Sequence, residues 1–140
     1  MFFVTGAASA RPVVEGVEGQ GDFVLESDAV SDLSGITWVG GDSFFAVSDK
    51  AKVLVPLTLK IDPAGGRIVR GEIGEPVPVP ADAADFEGVA YVTASQTFYI
   101  SAESGHAVLR FRPGQARAER LPVPPVFAQA RKNLSLESMT

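Results

Sequence analysis

Two stretches of this sequence repeat one another. "DLSGITWVGGDSFFAVSD" (32–49) and "DFEGVAYVTASQTFYISAE" (85–103) superpose with one residue inserted in the second. Asp32 falls on Asp85, Ser34 on Glu87, Gly35 on Gly88, Phe44-Phe45 on Phe98-Tyr99, and Asp49 on Glu103. The two glycines are 53 residues apart. A third copy starts near residue 136, where Leu136-Glu137-Ser138 stands as Phe86-Glu87-Gly88 does, 50 residues further on. A period near 50 marks an array of similar units, each burying its apolar face on the next.

Each unit reads as four strands. The first offers "LSGITWV", "SFFAVSD", "VLVPLTLKI" and "RIVRGEI"; the second offers "FEGVAYV", "TFYISAE", "AVLRFRP" and "RAERLPV". These runs are short, rich in β-branched and aromatic residues, and separated by Gly, Asp and Pro. "FVLE" (23–26) reads as one more strand ahead of them. Only "PPVFAQARKNL" (124–134) approaches a helical pattern, and it begins with two prolines.

Four short antiparallel strands in roughly 40–50 residues make a β-propeller blade. The fold class expected is therefore all-β: a β-propeller fragment of about two four-stranded blades plus the start of a third. The proline-rich stretches at 74–85 and 122–129 become crossings between blades, because proline cannot join a central ladder. Propellers have about four to eight blades. Two would leave open sheet edges, so either a C-terminal truncation or self-association through those edges is expected.

Composition narrows the function. The chain has 140 residues, 46% of them hydrophobic, enough for the core of one domain. Its formal charge is −5, and its longest basic run is Arg131-Lys132, so no basic face for nucleic acid is visible. No apolar stretch nears the roughly 18 residues of a membrane-spanning helix. The absence of cysteine excludes disulfides, cysteine nucleophiles and thiolate zinc sites. The opening "MFFVTGAASARP" carries a small-residue triplet, Ala8-Ser9-Ala10, but no charged leading segment. Residues 1–21 are read as a flexible N-terminus or signal remnant, and 22–140 as the partial propeller domain.

Six acids recur at the ends of the strand runs: Asp32, Asp49, Asp85, Glu87, Glu103 and Glu137. The first strand of a propeller blade lines the central channel, so acids at its start gather at the hub. Asp85 and Glu87, two apart, would share one face of a strand with Phe86 on the other. Hard cations such as calcium take about six to eight oxygen ligands, which suits such a ring. The plainer reading has Asp32 and Asp85 capping turns while Asp49 and Glu103 end strands in solvent. Glu87 fits that plainer reading poorly, being a weak turn former inside a strand.

Other motifs carry less. Ser34 and Ser48 lack a G-x-S-x-G elbow, and His106 is the one histidine, expected as an exposed strand residue, so no serine triad is assembled. "GVEGQG" (16–21) precedes no helix, and "NLS" (133–135) matches a glycosylation sequon. Packing between blades accounts for Trp38, Phe44, Phe45, Phe98 and Tyr99.

On "LSGITW…FFAVSD", "DFEGVAY…FYISAE…VLRF" and "N…LES", the chain resembles the "esterase-like activity of phytase" family over about residues 32–140. Ser138 departs from the pattern, standing where a glycine is expected. The resemblance implies a secreted or periplasmic propeller-type domain that hydrolyses phosphate esters or other esters, and related propeller phytases use calcium. The expectation is thus the N-terminal portion of a phytase-like hydrolase acting on a small-molecule ester with a divalent metal, the portion alone being inactive. Its location is expected to be periplasmic or extracellular, with the cytoplasm left open. The alternative is a non-catalytic propeller module, with a structural cation at its hub and a protein or glycan partner on its faces.

Overall fold

Gly41, at φ 54°, turns the chain so that the first strand can fold back on the second. Strand β1 (Leu33–Gly40) then pairs antiparallel with β2 (Ser43–Ser48), placing Trp38 opposite Phe44 and Ile36 opposite Ala46. A computed structural model describes residues 21–129 together with Gly19, Leu136, Ser138 and Met139. Glu137, the sequon and the N-terminal triplet lie outside the described residues.

The first sheet continues through β3 (Val53–Ile61) and β4 (Ile68–Ile73), in the order β1-β2-β3-β4. A two-residue strand, β5 (Val77–Pro78), also pairs with β3, which the sequence reading had treated as a crossing. Pro56 explains the change of partner. β4 meets β3 from Leu57 onward and β5 meets it at Val53 and Leu54. Pro56, with no N–H to give, sits between them and accepts a bond from Gly74 N–H at 2.8 Å.

The second sheet runs β6 (Phe86–Val92), β7 (Thr97–Ala102), β8 (Ala107–Phe111) and β9 (Glu119–Leu121), in that order and antiparallel throughout. The only helical turns among the described residues are 3-10 turns at Thr93–Ser95 and Pro125–Gln129. The expectation of an all-β chain with four-stranded units is met, and β5 is the one addition.

The segment "FVLE" is not a strand. Leu25 instead packs beside the cluster of Ala46, Val55, Leu57 and Leu59 on the outer face of the first sheet. A side chain on Gly71 of β4 would collide with Leu25 and Phe23, so the glycine makes room for this strap. Apolar burial here comes from side chains laid across a sheet, not from a ladder. The alternation in the sequence could not distinguish the two.

The larger core lies between the sheets and within the second. Val47 and Leu54 of the first join Phe86, Val89, Phe98, Ile100, Leu109 and Phe111 of the second, all fully or nearly buried. Phe45 and Phe98 meet edge to face with ring centroids 4.9 Å apart, an arrangement favoured by the aromatic quadrupole. Packing between units therefore accounts for that pair. It does not account for Trp38, which is 62% exposed, its indole N–H bonded to Gly41 O at 2.9 Å. Trp38 lies opposite Phe44 as Tyr91 lies opposite Phe98, yet only Tyr91 has a neighbouring sheet against it.

Candidate functional site: the acidic end of two stacked sheets

The inner strands touch backbone to backbone. A β-carbon on Gly35 would lie 2.6 Å from Glu87 O and 3.0 Å from Gly88 Cα. A β-carbon on Gly88 would lie 2.7 Å from Met139 N and 2.9 Å from the carbonyl carbon of Ser138. Gly35, Gly88 and Ser138, matched by the repeat, thus follow one another in space. Between them is a hollow of about 170 Å3 lined by Ser34, Glu87, Ser138 and Met139 among others. Glu87 is half-buried there.

Asp32 and Asp85 are also matched in conformation. Both are left-handed, at φ 53° and 56°, and each stands one residue before its strand. Aspartate tolerates this region better than most residues. Each ties the end of its hairpin through its main-chain oxygen: Asp49 N–H donates to Asp32 O at 3.1 Å, and Glu103 N–H donates to Asp85 O at 2.9 Å. These are main-chain bonds across the hairpin ends, not side-chain caps on nearby turn amides. Because Asp85 precedes β6 and a register shift follows Phe86, strand alternation does not align its side chain with Glu87.

Asp49 and Glu103 do not simply end strands in solvent. Asp49 Oδ1 and Glu103 Oε1 are both shut away from water and have no hydrogen-bond partner among the described residues. A buried, unsatisfied polar atom costs about 1–3 kcal/mol, more when charged, so finding one at each of two matched positions calls for an explanation. The other oxygen of Asp49, Oδ2, receives the Lys50 ammonium at 2.7 Å. The hydrogen bond and charge of Asp49, followed by the charges of Asp32 and Asp85, hold the Lys50 pKa above the usual lysine value. Three of the six acids thus act on one exposed lysine, which sequence reasoning had not singled out. Its position directly after Asp49 was the available signal.

Ser48, Ser101 and the His106 backbone serve the turns and strand contacts. Ser48 is buried, donates to Ser31 O at 3.0 Å and accepts from the amides of Lys50 and Ala51, which fixes the turn after Asp49. Ser101, also buried, accepts the Gly88 amide at 2.9 Å. His106 is half-buried at φ 48° in the turn before β8, not an exposed strand residue, and its amide donates to Glu103 O at 3.1 Å.

Among the described residues, no three acids or histidines converge tightly enough to hold a metal by themselves. The two orphaned carboxylate oxygens are nonetheless what a hard cation accepts, since such ions prefer anionic oxygen. No described helix is long and apolar enough to cross a membrane.

The fold and this end of it define a class: all-β repeats of antiparallel sheets, stacked through glycine and edged with carboxylates. A family model described as "Phytase-like: esterase-like activity of phytase" matches residues 28–140, and the chain belongs to that family. None of the curated proteins compared with it matches.

Proposed function

We propose that the two sheets are consecutive blades of a β-propeller, and that the domain is a metal-assisted hydrolase of phosphate esters or related esters. Family membership supports the reaction class. The single observation that supports the metal is the pair of buried oxygens on Asp49 and Glu103, partnerless among the described residues, at matched positions of neighbouring units. Ser138 and Met139, which lie against Gly88 as Gly88 lies near Gly35, would belong to the inner strand of the next blade.

Asp49 and Glu103 would contact the cation, with Asp32, Asp85 and Glu87 adding negative charge at the same end of the sheets without completing a cluster, and backbone carbonyls or water filling the remaining positions. A divalent cation supplies positive charge against an anionic ester and makes nearby water more acidic. The chain's own part is to keep the acids fixed. The Asp32 and Asp85 carbonyls tie down the hairpin ends, and Ser48 holds the turn after Asp49. Lys50 balances part of the negative charge and offers a cation at the rim for an incoming phosphate.

A second reading has support in the same geometry. The two orphaned oxygens flank turns, so a cation there would also tie turns together without doing chemistry. Hydrolysis of 4-nitrophenyl phosphate by the full-length protein, with calcium and after chelation, separates the two. Calcium-dependent turnover supports the hydrolase. Calcium-dependent melting with no turnover of phosphate or carboxylic esters selects the structural cation.

A further inference from the structure

At the opposite end of the sheets from the acids is a second hollow, of about 470 Å3. Phe45 of β2 forms its wall on the first sheet, and Tyr91 and Phe98 form it on the second. Ser95, Gln96, Arg112 and Pro113 make its rim. Its size falls within the roughly 300–1,000 Å3 of small-molecule sites, and it has their usual make-up of apolar walls with few polar groups.

Arg112 is the polar group that gives the hollow a preference. Its Nε–H donates to Thr97 Oγ1 at 2.9 Å, and Thr97 in turn donates to Ser95 O at 3.0 Å. Thr97 is only 1% exposed, so the guanidinium is anchored on a buried hydroxyl. The backbone is pinned as well: the Arg112 amide donates to Gln115 Oε1 at 2.8 Å, and the Gln115 amide returns to Arg112 O at 3.1 Å. Arg70, Arg110 and Arg117 each pair with a carboxylate, at Glu72, Glu119 and Asp82. Arg112 makes no such pair among the described residues. Held by one nitrogen, it keeps its outer N–H groups for an acceptor from solution, and a guanidinium suits carboxylate or phosphate best.

We propose that this hollow binds a small aromatic anion: a flat ring laid against the wall that Phe45, Tyr91 and Phe98 form by packing on one another, with its carboxylate or phosphate group on Arg112. The aromatic walls supply stacking and edge contacts for the ring. The arginine, held through Nε on Thr97, supplies orientation at a reduced entropic cost. The site lies apart from the acidic end and does not depend on a metal there.

The test is a series of amide-resonance titrations of the full chain with four probes: benzoate, phenyl phosphate, benzyl alcohol and inorganic phosphate. Benzoate and phenyl phosphate should move the Gln96, Phe98 and Arg112 amides, and their ranking tells which head group is preferred. Benzyl alcohol, lacking charge, and inorganic phosphate, lacking the ring, should each bind about tenfold or more weakly, the value of one charge-assisted bond or one buried ring. Arg112→Gln should remove the advantage of the anions and leave the benzyl alcohol response unchanged. The buried Thr97 amide reports whether that variant keeps its fold, and the ranking of probes on the unaltered chain decides the matter if it does not. Equal binding of benzyl alcohol and benzoate, no binding of any ring, or shifts confined to Asp49 and Glu103 would overturn the proposal.

Discussion

Gly35 of the first sheet lies against Gly88 of the second so closely that a β-carbon on it would stand 2.6 Å from Glu87 O. The obstacle is main chain, which cannot swing aside as a side chain would. Gly35→Ala should therefore force the two inner strands apart and lower stability by about 1–3 kcal/mol, the usual cost of overpacking. Urea unfolding measures it. A variant as stable as the parent would mean that the sheets do not stack through this pair.

Gly88→Ala tests the next contact. Its β-carbon would meet Met139 N at 2.7 Å and Ser101 Oγ at 2.7 Å. The expected outcome is displacement of segment 138–139 together with loss of the Ser101 bond to the residue 88 amide. Amide exchange at Met139 should quicken while exchange in β3 stays unchanged. Equal protection at Met139 in both proteins would detach that segment from the stack.

Asp49→Asn and Glu103→Gln should have opposite effects with and without calcium. Each removes charge from a carboxylate with one orphaned oxygen, so without metal the variants should melt at or above the parent's temperature. With calcium the parent should gain stability by mass action while the variants gain little. Calorimetric melts with and without a chelator read both arms, and an equal calcium response in all three proteins would withdraw these ligands.

Lys50 gives a pH signature. Its pKa is raised above 10.5 in the folded chain, first through the Asp49 hydrogen bond and charge and then through Asp32 and Asp85. A raised lysine stabilises the fold fully below its unfolded pKa, and that contribution fades as pH rises through the folded value. In Asp49→Asn the Lys50 pKa should fall back toward 10.5, followed by NMR of its ε-carbon. The stabilisation is small because the pair is solvent-exposed.

Ile36 and Trp38, 54% and 62% exposed on an edge strand, should make the isolated chain associate. Sedimentation should show this as concentration dependence, reduced in an Ile36→Lys, Trp38→Lys double variant. A concentration-independent monomer would show that the edge is protected in another way.

How much of this was written in the chain can be judged residue by residue. The repeat alone matched Gly35 to Gly88 and Asp49 to Glu103. Local alternation with turn residues was enough to place β1 to β4 and β6 to β9, since strand pairing between sequence neighbours needs little beyond a hydrophobic face and a turn. Family membership was legible in the same motifs. What the tertiary structure alone decided depends on partners far apart in sequence. "FVLE" became a strap because β4 offers Gly71 beneath it, and Trp38 stayed exposed because no sheet covers it as the first sheet covers Tyr91. The left-handed turns at Asp32 and Asp85, the sealed oxygens of Asp49 and Glu103, and the anchoring of Arg112 on Thr97 all arise where strands close upon one another. Periodicity fixes which way a side chain points along a strand, but burial and polar satisfaction are set by what folds on top of it.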